Sequence, residues 1–204
     1  GQALQRVPKV ATRIVEDKHE IAAHGWRWLD YRDVSPEVEA EHMRHAMETI
    51  TDLTGQRPQG WYTGRVSQMT RQLVINDGGF LYDSDAYNDD LPYWVKHDQG
   101  HHLVVPYSFD TNDMRFASSP GFDTGNDWLS YLTDTFDYLY REGAHQPRMM
   151  SVGLHCRLAG RPGRMMALER FLDHVAKHQD VWVTRRVDIA RHWHEHHRPE
   201  NTGT

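Results

Sequence analysis

The feature that most constrains the fold of this 204-residue chain is a recurring order of pieces. A short apolar run is followed by a loop of chemistry-bearing residues and then by an amphipathic stretch. The order is clearest from Met149 to Arg164. Met149-Met-Ser-Val-Gly-Leu154 reads as a buried strand that delivers His155 at its end. A Gly/Arg/Pro loop follows, and a helix opens near Pro162, where a missing amide proton loses nothing because that amide has no intrahelical partner. In α/β folds the C-terminal ends of strands are where chemistry is placed. His155 is therefore either a site residue or a histidine capping a core strand.

The same order recurs along the chain. Leu4, Val7, Val10, Ala11, Ile14 and Val15 follow helical spacing. His19–His24 reads as a strand ending in His24. Ser35-Pro36-Glu37 opens a helix with an N-cap, an N1 proline and an early acid, with Val38, Ala46, Ile50 and Leu53 on its apolar stripe and Gly55 as its stop. Gln59–Thr63 is a strand ending at Gly64-Arg65, and a helix over 67–76 follows. Phe80–Tyr82 is a strand that leads into a loop from Asp83 to Trp94, dense in carboxylates and aromatics. His102–Pro106 is a further strand. Helices are predicted over 125–142, from Trp128, Leu132, Phe136 and Leu139, and over 162–178, from Leu168, Phe171, Leu172 and Val175. Val181–Val183 is the last strand and 188–197 the last helix. This alternation predicts an α/β domain of parallel strands and crossover helices over 1–204.

Composition narrows the function. Twenty-nine acidic against 23 basic residues give a net charge of −6, which argues against a nucleic-acid footprint. No apolar run reaches the ~18 residues of a membrane span. The single cysteine, Cys156, excludes an internal disulfide and fits a reducing compartment. With no secretory signal at its start, the chain is expected to be cytoplasmic.

Four strand-end features carry candidate chemistry: His24, Arg65, His155 and the Asp83/Asp85 pair. Histidines at i and i+4 are a common metal-ligand spacing, but the residue four after His24 is Trp28, whose indole nitrogen donates a proton and has no lone pair to offer. His192, His194, His196 and His197 also show i,i+4 spacing, and a solvated terminal helix is the simpler explanation.

Several stretches, in this order, resemble the polysaccharide deacetylase (NodB-like) superfamily and, within it, the metal-independent allantoinase (PuuE-type) branch. They are 19–31, Gly60-Trp-Tyr-Thr-Gly-Arg65, Gly79-Phe-Leu-Tyr-Asp-Ser-Asp85, Asp89-Asp-Leu-Pro-Tyr-Trp94, Pro106, 110–116, Gly153-Leu-His-Cys-Arg-Leu158 with Gly160-Arg-Pro162, and Asp188-Ile-Ala-Arg-His-Trp193. The resemblance implies a deformed (β/α) barrel and hydrolytic opening of the hydantoin ring of allantoin to allantoate, in purine degradation. It also implies a homo-oligomer, a tetramer, that acts on a small molecule without nucleic acid or membrane. Metal-dependent relatives hold zinc with one Asp and two His; this chain matches at His24 and departs at Trp28, so no metal and no cofactor are expected. The family also opens with a strand carrying an acidic residue, absent here. The chain thus resembles the C-terminal two-thirds of the family domain, lacking the leading strands, with open strand edges and association through exposed apolar surface as the expectation.

Amide hydrolysis needs an activated water, a proton for the leaving nitrogen and donors for the oxyanion. His24, His155 and Asp85 are the catalytic candidates: His155 as acid/base or oxyanion donor, His24 as a substrate partner or vestigial metal ligand, Asp85 as base or orienting group. Trp28, Trp61, Arg65, Asp83, Arg157 and Arg161 are the substrate-binding candidates. Each has an ordinary alternative: core packing for the tryptophans, surface ion pairs for the arginines, a loop turn for the aspartates. Two other functions remain open, a metal-dependent polysaccharide or peptidoglycan N-deacetylase and a truncated, inactive subunit.

Overall fold

The computed structural model describes residues 1–199. The chain forms two compact units. One comprises Gly1–Ala86, Pro92–Pro106 and the described residues that follow Val183; the other comprises Tyr87–Leu91 and Tyr107–Val183.

The first unit holds a four-stranded sheet: β1 (Gly60–Trp61), β2 (Tyr82–Asp83), β3 (Tyr93–His97) and β4 (Gly100–Val104), in the order β1-β2-β4-β3. β1, β2 and β4 are parallel, and β3 pairs antiparallel with β4. Ala23 adds a single bridge to Trp61 at the β1 edge. The helices of this unit are α1 (Gln2–Arg6), α2 (Pro8–Glu16), α3 (Pro36–Thr54), α4 (Thr70–Asp77) and α7 (Arg186–His196). α3 starts as its sequence dictates, with Ser35 as N-cap and Pro36 in the first turn, and stops at Gly55 in the left-handed conformation. Its inner face, Met43, Met47 and Ile50, packs with Ala23, Trp61, Val74 and Phe80. Glu39 on the same helix is buried, and its carboxylate accepts from the hydroxyls of Ser67 and Thr70, tying the start of α4 to α3.

The second unit is built on α5 (Gly125–Gly143) and α6 (Pro162–Val175). A capping box of Thr124 and Asp127 opens α5. Trp128, Leu132 and Phe136 of α5 meet Ala167, Leu168 and Phe171 of α6 in one apolar cluster with Phe122 and Ala159. A short 3₁₀ helix, Asp113–Ala117, precedes them.

Several expectations are corrected. Residues 149–155 form no strand. Their backbone groups are satisfied singly: Met149 N–H by the Asp90 carbonyl, Ser151 by the side chains of Ser108 and Thr111, and the Gly153 carbonyl by Asp113 N–H. Segments 19–24 and 181–183 form no strand either; Trp182 and Val183 are exposed. The first helix is two helices, because Pro8 has no amide proton and forces Val7 out of the helical region, at φ −134°. Val7, Val10 and Val15 face solvent. β4 overlaps the strand expected at His102–Pro106, whereas its antiparallel partner β3 was not expected, since Lys96, His97, Asp98 and Gln99 hide any apolar alternation.

Gly60 admits Tyr82. A Cβ at position 60 would lie 2.3 Å from Cζ and Oη of that ring. The ring cannot retreat easily: it is 1% exposed, and its hydroxyl donates to Glu20 at 2.6 Å. Gly60→Ala is therefore expected to destabilise the protein by about 1–3 kcal/mol, the usual cost of overpacking. Urea unfolding measures it, and an unchanged midpoint would contradict it.

Candidate functional site

In the second unit the chemistry gathers on one carboxylate. Asp113 is 0% exposed. Its Oδ2 accepts the backbone N–H groups of His155, at 2.7 Å, and Ala159, at 3.0 Å, and its Oδ1 lies 2.6 Å from His155 Nδ1. Asp113 N–H in turn donates to the Gly153 carbonyl, so two segments are bound in both directions. A buried carboxylate facing a ring nitrogen requires a proton between them, which places it on Nδ1 and leaves Nε2 of neutral His155 as the nitrogen that can accept a proton. The His155 side chain is 30% exposed. A charge-free acid–base nitrogen on an imidazole fixed by a buried aspartate is the arrangement general acid–base catalysis uses. In the sequence Asp113 stands out only as part of the stretch 110–116 that resembles the family. Nothing in the residue pattern separates it from Asp110; burial does.

In the first unit Asp83, at the end of β2, is 1% exposed and holds three partners. Arg71 Nε donates at 2.9 Å and His102 Nε2 lies 3.0 Å away, both on Oδ2, while Asp85 N–H donates to Oδ1 at 2.9 Å. Burial pushes the Asp83 carboxyl up, but the bonds from His102 and Arg71 outweigh it and leave it below the usual carboxylate range. Asp85 behaves in the opposite way. Burial is the main cause of its rise to about 6, strengthened by the Asp83 charge and opposed by backbone N–H bonds from Gly64 and Thr63. Those bonds are 2.7 Å from Gly64 and 3.1 Å from Thr63. Asp83, Asp85 and Trp61 line a cavity of about 180 Å³ with Ser67, Thr70 and Arg71. The Trp61 indole N–H is buried and has no acceptor among the described residues. Asp83 and Trp61 were both expected to bind substrate. Both are 1% exposed, so they form cavity wall rather than surface.

His24 is exposed, stacks on Tyr62 with ring centroids 5.2 Å apart, and bonds through Nδ1 to the Tyr62 carbonyl. Trp28 is 65% exposed, which rules out core packing, and the Arg65 guanidinium lies 3.7 Å above its ring. The structure thus joins two candidates that the sequence offered separately. The zinc donor set of metal-dependent relatives does not fit here. The indole has no lone pair, its ring is covered by a cation, and no third ligating side chain gathers with His24 among the described residues. Arg157 and Arg161 are exposed, Arg161 as the N-cap of α6. His192, His194, His196 and His197 do not converge as a metal-ligand group among the described residues.

Comparison with known proteins gives a consistent result. The polysaccharide deacetylase family model matches residues 1–77. A Schizosaccharomyces pombe protein named as a polysaccharide deacetylase is 41% identical over 97% of this chain and 67% of its own length. A crystal structure from Pseudomonas aeruginosa PAO1, also named as a polysaccharide deacetylase, is 56% identical with a TM-score of 0.93, covering 96% of this chain and 66% of that one. The crystal structure of PuuE allantoinase is 55% identical with a TM-score of 0.94, covering 96% and 65%. The chain therefore spans about two-thirds of the length of each of these relatives, and its α/β fold is theirs.

The two aspartates of the first unit predict a sign for the pH dependence of stability. Asp85 binds its proton more tightly folded than unfolded, rising from 3.8 to about 6. Its stabilisation is full below pH 3.8 and is lost as pH rises through about 6. Asp83 runs the other way and loses its contribution only as pH falls below the ordinary carboxylate range. Asp85→Asn is therefore expected to gain stability relative to the parent between about pH 4 and about pH 7. Denaturant unfolding at both values checks this; an equal difference at the two would contradict it.

Proposed function

The chain belongs to the polysaccharide deacetylase family, and on that premise we propose that it is a cyclic-amide hydrolase of the allantoinase type, with His155 as its acid–base group. The observation that carries this reading is the contact at 2.6 Å between His155 Nδ1 and the buried Asp113. Water attacks the ring carbonyl carbon while Nε2 of His155 accepts its proton. The C–N bond then breaks, and the imidazolium returns the proton to the departing nitrogen, leaving a free urea-type N–H and a carboxylic acid that loses its remaining proton to solvent. Asp113 stabilises the imidazolium between these steps and remains ionised.

Two things support a compact ring over a polymer. The Trp28 indole, with Arg65 above its ring, stands where metal-dependent relatives have a ligand. The allantoinase structure shares 55% of its aligned residues with this chain. The competing reading, an N-deacetylase of a glycan, rests on the names of the other relatives.

Incubating the protein with allantoin, and separately with an N-acetylated glucosamine oligomer, distinguishes the two. Ring opening without acetate release is expected; acetate release alone would establish the deacetylase. His155→Ala should lower kcat by ~10²–10⁴ with an unchanged melting temperature. His155→Gln, which donates a hydrogen bond but cannot shuttle a proton, should stay equally low. Near-parental turnover in either variant removes His155 from the chemistry.

A further inference from the structure

Helices α5 and α6 carry a second group of ligating side chains in which the hydrolytic reading has no part. Asp137 projects from α5. His174 lies in the last turn of α6, and His178 follows four residues later. One ligand atom from each of the three lies within 4.8 Å of the other two. We propose that Asp137, His174 and His178 form a zinc site that fastens the end of α6 to α5.

The donor set is the first ground. Two imidazoles and one carboxylate are what zinc takes with three protein ligands, water completing the tetrahedron. Preorganisation is the second. His178 donates from Nδ1 to the His174 carbonyl at 2.9 Å, which fixes the tautomer and leaves the Nε2 lone pair free for a metal. Backbone-anchored imidazoles of this kind are the usual second shell of zinc histidines. The rings are also held in place by packing. His178 meets Phe136 edge-on at 4.9 Å and Tyr140 at 4.8 Å, and His174 meets Phe136 at 5.6 Å. His174 Nε2 and Asp137 Oδ1 are 2.6 Å apart, with both side chains reached by solvent, so an ion has a route in. Ligands about 2 Å from zinc lie a little over 3 Å from each other, so the close pair opens and the wider gaps close by side-chain rotation alone.

The site differs from the His24 region in every residue and reverses the expectation of a metal-free chain. The His174-x-x-x-His178 spacing was present in the sequence, but its third ligand is 37 residues away on another helix.

The test is zinc titration of chelator-treated protein by calorimetry, with cobalt substitution to read geometry. One zinc per chain, a tetrahedral cobalt spectrum and a rise in melting temperature with zinc are expected. His178→Ala and Asp137→Asn should each weaken zinc binding at least about tenfold, while His192→Ala, on the terminal helix, should leave it unchanged. Asp137 is exposed, so Asp137→Asn retains the fold and separates loss of a ligand from loss of structure. No binding at stoichiometric zinc, or equal binding in the Asp137→Asn and His178→Ala variants, would overturn the proposal and leave the cluster as a His–Asp hydrogen bond.

Discussion

A carboxylate taken out of water must receive donors from its surroundings, and in each unit one aspartate imposes that demand on everything near it. In the second unit Asp113 accepts two backbone N–H groups and one imidazole. Each such charge-assisted bond contributes about 1.5–3 kcal/mol, and removing the carboxylate would leave both amides without an acceptor. The loop from Gly153 to Ala159 is therefore shaped around Asp113, and His155 occupies its position because its own backbone N–H and its ring answer to the same group. In the first unit Asp83 does the corresponding work for Arg71, His102 and the turn that carries Asp85.

The two aspartates have opposite consequences for protons. Asp113 localises a proton on a neighbouring ring and so defines which nitrogen of His155 is available to exchange another. Asp83, held ionised by Arg71 and His102, places a negative charge beside Asp85 and adds to the burial that raises it to about 6. A histidine of fixed tautomer is a group that hydrolysis of an unactivated amide needs. Membership of the polysaccharide deacetylase family agrees with hydrolytic chemistry.

How much of this was legible in the sequence depended on where the information resides. Helices with caps and full stripes, α3 and α5, were legible to within a residue or two, because Ser35, Pro36, Gly55 and the Trp128–Leu132–Phe136 stripe are local signals. The strand at 149–155 was not, because an apolar run states only that backbone is buried. Here Ser108, Thr111 and Asp113, distant in sequence, satisfy that backbone in place of a neighbouring strand. His155 was found because it ends that run. Asp113 was missed because no local pattern marks which aspartate of a polar loop turns inward. Arg65 and Trp28 were each recognised, but their stacking belongs to the tertiary structure.

The most direct test is the tautomer of His155, read from long-range nitrogen–proton correlations in the NMR spectrum of nitrogen-15-labelled protein above the histidine titration. If Asp113 organises the site as described, neutral His155 carries its proton on Nδ1, and Asp113→Ala releases it toward the Nε2–H form preferred by free imidazole side chains. A parent protein in which His155 already holds its proton on Nε2 would contradict that, because the acid–base nitrogen would then not be the one Asp113 leaves free.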